Sequence, residues 1–449
     1  MMTEQLYGTL YKSHLETLMQ RASTTLSREN LDGLIIHSGQ LSYQFLDDIA
    51  YPFKVNPHFK AWLPILDNPN SWLVINGTSK PKLIFYLPVD FWHKVPEKPT
   101  EAWVEHFDIN YLAKADKVEK LLPYDRENYA YIGEHIEVAQ ALGFKHINPE
   151  GVLHYFHYHR AYKTDYELAC MRQANQAAIR AHKAASTAFY EKKSELDIHH
   201  AYIDAVNMNQ ELLPYNNIVA LNKNASILHY MVQQDVAPDV YLSFLIDAGA
   251  TFNGYASDIT RTYTTSDGLF AQLISHIDSL TQRLSAAMSP GLSYAEVHEQ
   301  AHVGIANILH DAGIVNLLPE NMLEVGITKT FFPHGIGHYL GLQVHDVGAH
   351  LANDNGLPLP PIEGYPFLRC SRNIEASQVF TIEPGLYFID SLLAELKSSN
   401  ESKFINWNVI DELIPYGGIR IEDNVIVHAD SVENMTRNYW ALDNASEER

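Results

Sequence analysis

FLIDAGATFNGYASDITRTY, residues 244–263, contains the pattern that decides the fold. An apolar run ends at Asp247, and a second aspartate, Asp258, follows eleven residues later. Between them, Asn253-Gly254 is typical of a hairpin turn, which would bring the aspartates face to face or nearly so. Facing side chains lie roughly 5 Å apart at Cβ, so two bare carboxylates repel unless one is protonated or both hold a cation. Taken alone, the hairpin favours two solvated aspartates over a metal site.

Three later segments place polar side chains among apolar residues or glycines. They are FFPHGIGHYLGLQVHDVG with His334, His338 and His345, VFTIEPGLYF with Glu383, and YGGIRIEDNVIVH with Arg420 and Glu422. The glycines around His338 indicate a backbone that runs close to a ligand rather than an ordinary helix. Arg420 and Glu422 share one face of a strand by their spacing. Singly, each segment also fits a structural role, because a core histidine is commonly satisfied by a hydrogen bond.

Together with the two aspartates, these segments supply four carboxylates and one imidazole. This set would hold two divalent cations with a formal charge near zero. Hard oxygen ligands with one nitrogen suit manganese, cobalt or zinc in a dinuclear site.

Two domains are predicted around these motifs. Residues 1–160 contain short apolar strands, such as GLIIHSG and PKLIFYLPV, separated by helical stretches, which indicates a small α/β domain. The next helix opens with the capping box Thr164-x-x-Glu167, so a second domain is expected over 161–449. Its helices and strand-like runs predict an α+β arrangement, in which helices cover a curved antiparallel sheet. The proline-rich segment 351–367 predicts a long loop.

The composition excludes several classes of protein. The chain has 449 residues, of which 46% are hydrophobic, and this is enough for two cores. With 54 acidic against 32 basic residues and a net charge of −22, we expect no nucleic-acid or anionic-membrane partner. No signal-peptide pattern or run of ~20 apolar residues occurs, so a cytoplasmic protein is expected. Cys170 and Cys370 predict two reduced, buried thiols.

The complete pattern resembles a known family. Its ordered contexts are IDAGA with Asp247, SDITRTY with Asp258, HGIGH with His338, TIEPG with Glu383 and GIRIEDN with Glu422. This set resembles the pita-bread metallopeptidases, the family of methionine aminopeptidase, aminopeptidase P and prolidase. The match is strongest to the bacterial prolidases (Xaa-Pro dipeptidases), whose relatives include organophosphorus acid anhydrolases. It extends to the N-terminal segments HSGQLSYQFLDDIAYPFKVNPHFKAW and VDFWHKVP.

The resemblance implies two divalent ions per subunit, with manganese expected and cobalt or zinc as alternatives. Asp247 would bind one ion through both oxygens. Asp258 and Glu422 would bridge the two ions. His338 and Glu383 would complete the second site. A water activated by the ions would attack the carbonyl of an Xaa-Pro bond, and Glu383 would pass its proton toward the departing proline nitrogen.

The resemblance also implies roles in catalysis and substrate binding. Arg420, His229 and His345 resemble groups around the substrate carboxylate and the developing charge, and an arginine can hold a carboxylate with two parallel hydrogen bonds. His334 resembles a histidine that faces the substrate near the metals, and with His229 it is expected to take part in catalysis. A packing role is the alternative for each of these four residues.

Three further assignments follow from the same resemblance. Tyr215 and Tyr294 match tyrosines that line the substrate pocket, although Asn216 stands where a glycine is expected. Asp48, in FLDDIAYPF, resembles an acid that reaches the site of a neighbouring subunit, with an exposed carboxylate at a helix start as the alternative. A homodimer or larger assembly is therefore expected, in which the N-terminal domain shapes the partner's pocket.

The expected activity is hydrolysis of Xaa-Pro dipeptides, which are small substrates. Organophosphorus triesters are an expected side substrate, because a tetrahedral phosphorus centre resembles the tetrahedral intermediate of peptide hydrolysis. An aminopeptidase P-like enzyme that acts on longer Xaa-Pro peptides is the alternative. A creatinase-like reaction without metal, or a non-enzymatic pita-bread binding module, would be favoured by a broken ligand set, whereas all five positions carry ligand-capable side chains.

Overall fold

The computed structural model describes residues 4–447, so the outermost residues of the two predicted domains lie outside it. The chain divides into two compact units. The N-terminal unit comprises the chain up to Cys170 with two short later segments, Asn253–Tyr255 and Asn353–Leu357, and the C-terminal unit comprises the rest. The division falls within a helix, later in the chain than the predicted boundary at 160/161. Over residues 4–447, no helix has the length and apolar character that a membrane span requires.

The N-terminal unit is built on one six-stranded sheet. Its elements are α1 (Glu4–Glu29), β1 (Gly33–His37), α2 (Pro57–Lys60), β2 (Trp72–Ile75), β3 (Lys82–Tyr86), β4 (Asp108–Leu112), β5 (Tyr129–Ile132), α3 (Ile136–Ala141), β6 (His146–Ile147) and α4 (Glu150–Arg160). The strand order is β4-β3-β2-β1-β5-β6, with β1 antiparallel to β2 and parallel to β5. All residues of β1 and β2 are buried, which explains their nearly continuous apolar sequences.

The C-terminal unit contains several small sheets, and every pairing described between its strands is antiparallel. The elements from the linking helix onward are α5 (Asp165–Tyr190), α6 (Glu195–Val206), β7 (Ile218–Leu221), β8 (Ser243–Asp247), β9 (Thr251–Phe252), β10 (Tyr255–Ala256), β11 (Thr260–Thr264), α7 (Leu269–Ala287), α8 (Tyr294–Asp311), α9 (Pro319–Val325), α10 (Thr328–Phe331), β12 (Gln378–Ile382), β13 (Gly385–Tyr387), α11 (Asp390–Ser398), α12 (Trp407–Leu413), β14 (Gly418–Arg420), β15 (Asp423–Val427), β16 (Val432–Asn434) and α13 (Met435–Glu447). The sheets are β11-β8-β7, β12-β15-β16, β13-β14 and β10-β9. An isolated bridge between Thr260 and Glu422 connects the first of these sheets to the segment between β14 and β15.

The predicted capping box opens α5. Thr164 N donates to Glu167 Oε2 at 2.8 Å, and Glu167 N donates to Thr164 Oγ1 at 3.4 Å. The amides of the capping residue Thr164 and of Glu167, in the first turn, are thereby satisfied by side chains. The helix therefore begins where the sequence pattern places its start.

The predicted hairpin turn is present, and its register places the two aspartates close to each other but not directly opposite. Asn253 and Gly254 have φ values of +50° and +86°, as a type I′ turn requires. In the pairing of β8 with β11, Asp247 lies opposite Thr260 and not opposite Asp258. Asp258 instead precedes β11, where the side chain of Asn424 accepts from its amide at 3.0 Å and donates to its carbonyl. The aspartates are therefore staggered along the sheet.

The strand predicted over GGIRIEDNVIVH is divided in two. β14 ends at Arg420, and β15 begins at Asp423. Glu422 lies at the junction, where its amide donates to Thr260 O at 3.0 Å. The division lets Arg420 and Glu422 face one cavity while β14 and β15 belong to different sheets.

Asp423 is the centre of a buried cluster of charged side chains behind this junction. It is fully buried, and it accepts from Arg261 Nη2 and Arg437 Nε, each at 2.7 Å, and from Asn434 Nδ2 at 2.9 Å. Burial acts to raise the pKa of Asp423, but the two guanidinium groups outweigh it and hold that pKa below its usual value. Arg261 Nη1 also donates to Glu422 O at 2.7 Å. The ionised core residue therefore fixes the backbone of Glu422.

We predict that Asp423→Asn lowers the free energy of unfolding by about 3–5 kcal/mol, because it leaves the buried Arg261 without a counter-charge. The matched control is Asp278→Asn, which removes a carboxylate 2.7 Å from Arg437 on the surface, where its side chain is 31% exposed. This control should cost less than about 1 kcal/mol. Urea unfolding in EDTA, followed by circular dichroism, measures both values, and equal losses for the two variants would contradict the prediction.

Candidate active site

A cavity of about 320 Å³ lies within the C-terminal unit. Nine of the twelve predicted site residues line it: His229, Asp247, Asp258, His334, His338, His345, Glu383, Arg420 and Glu422. They come from the loop between β7 and β8, the end of β8, the segment before β11, the segment 333–345, the end of β12, and the end of β14 with the β14–β15 junction. Residues far apart in the sequence therefore meet at one concave surface.

Asp247 and Asp258 are joined by a tyrosine. Tyr215 Oη lies 2.8 Å from Asp247 Oδ1 and 2.5 Å from Asp258 Oδ1. Because a hydroxyl carries a single proton, it can donate to only one of these carboxylates at a time. Asp247 Oδ2 accepts from Arg420 Nη2 at 2.8 Å. The staggered register thus still brings both carboxylates to the same point, and Tyr215 lies behind them and not on the cavity wall.

His338 has the orientation of a metal ligand. Its Nδ1 lies 2.9 Å from Tyr339 O, and since a carbonyl can only accept, this nitrogen carries the proton. In the neutral ring, Nε2 then offers a lone pair, yet it faces Asp258 Oδ2 at 3.4 Å and Glu383 Oε1 at 3.6 Å. Three electron-rich atoms converge, which is the arrangement expected around a cation.

Glu422 adds a further oxygen to this group. Its Oε2 accepts from Thr260 Oγ1 at 2.8 Å, whereas Oε1 is buried without a hydrogen-bond partner in the described structure. Ligand atoms of Asp258, His338 and Glu422 all lie within 4.8 Å of one another. Two carboxylates and a neutral imidazole form a donor set suited to manganese, cobalt or zinc. The residues present therefore fit a divalent ion.

The titration of these groups reflects the same concentration of negative charge. Burial raises the pKa of Glu383 to about 7. Burial and the charges of Asp258 and Glu383 raise the pKa of Glu422 well above its usual value. Burial acts to lower the pKa of His338, but the carboxylates of Asp258 and Glu383 outweigh it and raise that pKa. Each shift shows that the cluster favours additional positive charge.

Arg420 holds a second set of groups in place. It is 4% exposed, and besides Asp247 it contacts Tyr387 Oη through Nη1 at 3.1 Å. Tyr387 Oη in turn lies 2.9 Å from His334 Nε2, while His334 Nδ1 lies 2.8 Å from Gly335 O. The carbonyl must accept, so Nδ1 is protonated, Nε2 accepts from Tyr387, and Tyr387 accepts from Arg420. Both nitrogens of His334 are thus engaged inside the protein.

The remaining predicted residues lie in different places. His229 and His345 line the cavity, and the ring centroid of His345 lies 4.4 Å from that of His338. Tyr294 is fully buried, with its hydroxyl donating to Thr381 O at 3.0 Å, and the structure does not bring it to the cavity wall. Asp48 belongs to the N-terminal unit, in an exposed loop where its amide donates to Asp47 Oδ1 at 2.7 Å.

Several cavity residues were not predicted from the sequence. Leu228, Phe367 and Arg369 line the cavity, and Tyr387 lies just behind it. Tyr387 belongs to β13, whereas Glu383 lies between β12 and β13, so strand periodicity counted from Glu383 does not mark it. Arg369 lies in an irregular segment without a periodic pattern, so no such signal marks it either.

Comparison with known proteins provides independent information. Residues 9–158 match the family model of the Xaa-Pro dipeptidase N-terminal domain, and residues 169–429 match that of metallopeptidase family M24. An Xaa-Pro dipeptidase of Pseudoalteromonas atlantica is 60% identical over 95% of this chain and 98% of its own length. An Xaa-Pro dipeptidase of Pseudoalteromonas translucida is 58% identical over 97% of this chain and 99% of its own length.

The fold is also similar to that of a solved structure. Zinc-substituted aminopeptidase P of Escherichia coli, in complex with product, superposes with a TM-score of 0.69 over 99% of both chains at 21% identity. The likeness at this identity concerns the fold alone. With the matched domains, it confirms the predicted α+β class, an N-terminal domain followed by a pita-bread domain. The protein is therefore a metallopeptidase that belongs to the Xaa-Pro dipeptidases (prolidases) of family M24.

Proposed function

We propose that this protein hydrolyses Xaa-Pro dipeptides and releases proline, using two divalent ions with manganese as the preferred metal. The observation that carries the proposal is the convergence of Asp258, His338 and Glu422 within 4.8 Å, in a chain 60% identical to an Xaa-Pro dipeptidase. Asp247 and Glu383 line the same cavity and would complete the ligand set. Ions bound there would polarise the scissile carbonyl and make water nucleophilic near neutral pH.

The surrounding residues fix the ligands before substrate binds. Tyr215 and Arg420 hold Asp247 through its two oxygens, and Thr260 directs Glu422. Tyr339 O keeps the proton of His338 on Nδ1, so that Nε2 remains a lone-pair donor. Such supporting hydrogen bonds restrict the ligands to one geometry and raise their affinity for a cation.

Glu383 is the residue that we assign to proton transfer. Of the three side chains in the His338–Asp258–Glu383 group, that of Glu383 is the most exposed. It is 16% exposed, against 4% for His338 and 7% for Asp258. It would take the proton of the attacking water and deliver it to the proline nitrogen, which must be protonated as the C–N bond breaks. His334, whose Nδ1 lies 3.8 Å from Glu383 Oε2 and whose two nitrogens are both engaged elsewhere, would line the cavity beside Glu383 and not itself donate a proton.

Arg369 is the residue that we assign to the substrate carboxylate. The sequence favoured Arg420, but that guanidinium is buried and engaged by Asp247 and Tyr387. Arg369 is exposed at the cavity wall, and the structure describes no hydrogen bond or ion pair from its side chain. His229 and His345, which line the same wall, would contact the rest of the dipeptide. A carboxylate anchor of this kind would favour dipeptides over longer peptides.

Two further properties belong to the proposal. A site that accommodates a tetrahedral transition state at carbon would also accept organophosphorus triesters as side substrates. A homodimer or larger assembly would bring Asp48 toward a partner's site. The first statement is tested by measuring hydrolysis of a chromogenic phosphotriester. The second is tested by measuring the mass of the assembly by light scattering.

We expect dialysis against EDTA to abolish Leu-Pro hydrolysis, and we expect manganese to restore it better than cobalt or zinc. Asp258→Asn should lower kcat/KM on the order of 100-fold in manganese, because it removes one negative ligand from the cluster. Asp267→Asn, an exposed carboxylate just beyond β11, is the matched control and should retain wild-type turnover. Full activity in EDTA, together with an unimpaired Asp258→Asn variant, would exclude metal-dependent hydrolysis at this site.

We expect Arg369→Gln to raise KM for Leu-Pro roughly 10- to 100-fold, since a charge-assisted hydrogen bond to the substrate carboxylate is lost. Leu-Pro amide, which lacks that carboxylate, is the control substrate and should be turned over equally by both enzymes. The wild-type enzyme should also cleave Ala-Pro faster than Ala-Pro-Ala. An equal effect on Leu-Pro and its amide would show that Arg369 does not read the carboxylate, and faster cleavage of the tripeptide would favour the aminopeptidase P-like alternative.

A further inference from the structure

Glu195 is a buried carboxylate in the C-terminal unit that the reaction described above does not use. It is the first residue of α6 and is 1% exposed. A carboxylate in such a position is costly unless its oxygens are hydrogen-bonded or paired with a cation. In the part of the chain that the structure describes, its partners are four hydrogen-bond donors and no cation.

The four donors come from one loop. Glu195 Oε1 accepts from Leu221 N at 2.8 Å and from Asn224 Nδ2 at 2.9 Å. Glu195 Oε2 accepts from Tyr230 Oη at 2.7 Å and from Gln234 N at 2.9 Å. The loop 221–234 is thus bound near its beginning, its middle and its end by a single side chain.

The same loop carries two residues of the active-site cavity, Leu228 and His229. His229 is exposed and is followed directly by Tyr230, which is 6% exposed. Ala225 and Tyr230 pack in an apolar cluster with residues of β7 and β8, but Ile227, Met231 and Val232, on either side of Leu228 and His229, are 52–57% exposed. The hydrogen bonds to Glu195 therefore supplement the few apolar contacts that hold this wall of the cavity.

We propose that Glu195 is a positioning residue for substrate binding, which acts by fixing the loop that presents Leu228 and His229. The proposal rests on the proposed function, since it concerns the wall that faces the dipeptide. It predicts an effect on KM more than on kcat, because the loop carries none of the five residues assigned to the metal ions.

The chemistry of the site explains why a carboxylate is needed. An amide at position 195 has nearly the same shape but replaces one oxygen by an NH2 group. If this group takes the place of Oε1 it meets Leu221 N–H, and if it takes the place of Oε2 it meets Gln234 N–H. Both are backbone donors that cannot become acceptors, so either orientation sets two donors against each other. Glu195→Gln therefore loosens the loop although it conserves volume.

The test measures Leu-Pro hydrolysis by manganese-loaded enzyme. Glu195→Gln should raise KM roughly tenfold, the effect of one unsatisfied buried donor, while kcat changes less than about threefold. Tyr230→Phe removes one donor to Glu195 and one acceptor of Asn224 Nδ2 but keeps both backbone bonds, and it should raise KM by about threefold. This milder variant keeps the proposal testable if Glu195→Gln does not fold.

The matched control is Asp197→Asn. Asp197 lies in the same helical turn, but its Oδ2 accepts from Ser194 Oγ at 2.8 Å and not from the loop. It should leave KM unchanged. Hydrogen exchange of the metal-free enzyme provides a readout that is independent of activity: Glu195→Gln should speed exchange in 221–234 and Asp197→Asn should not.

A double-mutant cycle with His229→Ala separates positioning from general stability. If Glu195 acts through the loop, Glu195→Gln should raise KM by less than about threefold in the His229→Ala background. Fully additive effects, or wild-type exchange in 221–234 of the Glu195→Gln variant, would overturn the proposal. Absence of Leu-Pro turnover by the wild-type enzyme would instead refute the proposed function, while the exchange measurement would still report on Glu195.

Discussion

The concentration of carboxylates in one small cavity is the constraint on which the rest of this structure depends. Asp247, Asp258, Glu383 and Glu422 line the same cavity, where Arg420 pairs with Asp247 and the ring of His338 faces Asp258 and Glu383. Like charges this close raise the energy of the folded chain unless protons or cations compensate them. The hydrogen bonds around the cavity therefore serve to hold apart groups that repel, in the positions in which a divalent ion would bind them together.

Three buried carboxylates in the C-terminal unit illustrate different ways of compensating for the energy of a buried negative charge. Asp423 is neutralised by two guanidinium groups, which suits a core that must not move. Glu195 is surrounded by neutral donors, which suits the fastening of a loop. Glu422 retains an oxygen without a partner in the described structure, and this suits a ligand. The three residues are similarly buried but differ in their hydrogen-bond partners, and of the three only Glu422 has an oxygen left to contact a cation.

Local patterns predicted much of this arrangement because they express local physics. The capping box of Thr164 and Glu167 and the turn at Asn253 and Gly254 depend only on neighbouring residues, and both are present. The stagger of the two aspartates follows from the same turn, because a two-residue turn at Asn253 and Gly254 sets Asp247 opposite Thr260 and leaves Asp258 two residues away from that position. The burial of Tyr294, by contrast, depends on a contact between residues far apart in the sequence, since its ring stacks on that of Phe380.

Whether an arginine is engaged by neighbouring side chains was harder to predict than the capping box and the turn, for a related reason. A guanidinium looks the same in sequence whether it is free to bind a substrate or already engaged, and only the three-dimensional contacts of Arg420 show that it is engaged. Arg369 has the opposite character but lies in irregular chain, where periodicity offers no guide. The sequence therefore predicts which residue types line the cavity, whereas the contacts that engage each of them require the three-dimensional structure.

The adjacent pair Glu422 and Asp423 shows that this part of the structure does not tolerate a change in chain length. The two acids point to opposite sides of one chain segment, one toward the cavity and the other toward Arg261 and Arg437. Since consecutive residues of an extended chain alternate in direction, the insertion or deletion of one residue here would exchange their surroundings. Asp423 would then face the cavity, and Glu422 would be neutralised by the arginines in the core. Variation in chain length among proteins of this design should therefore be confined to loops away from this junction.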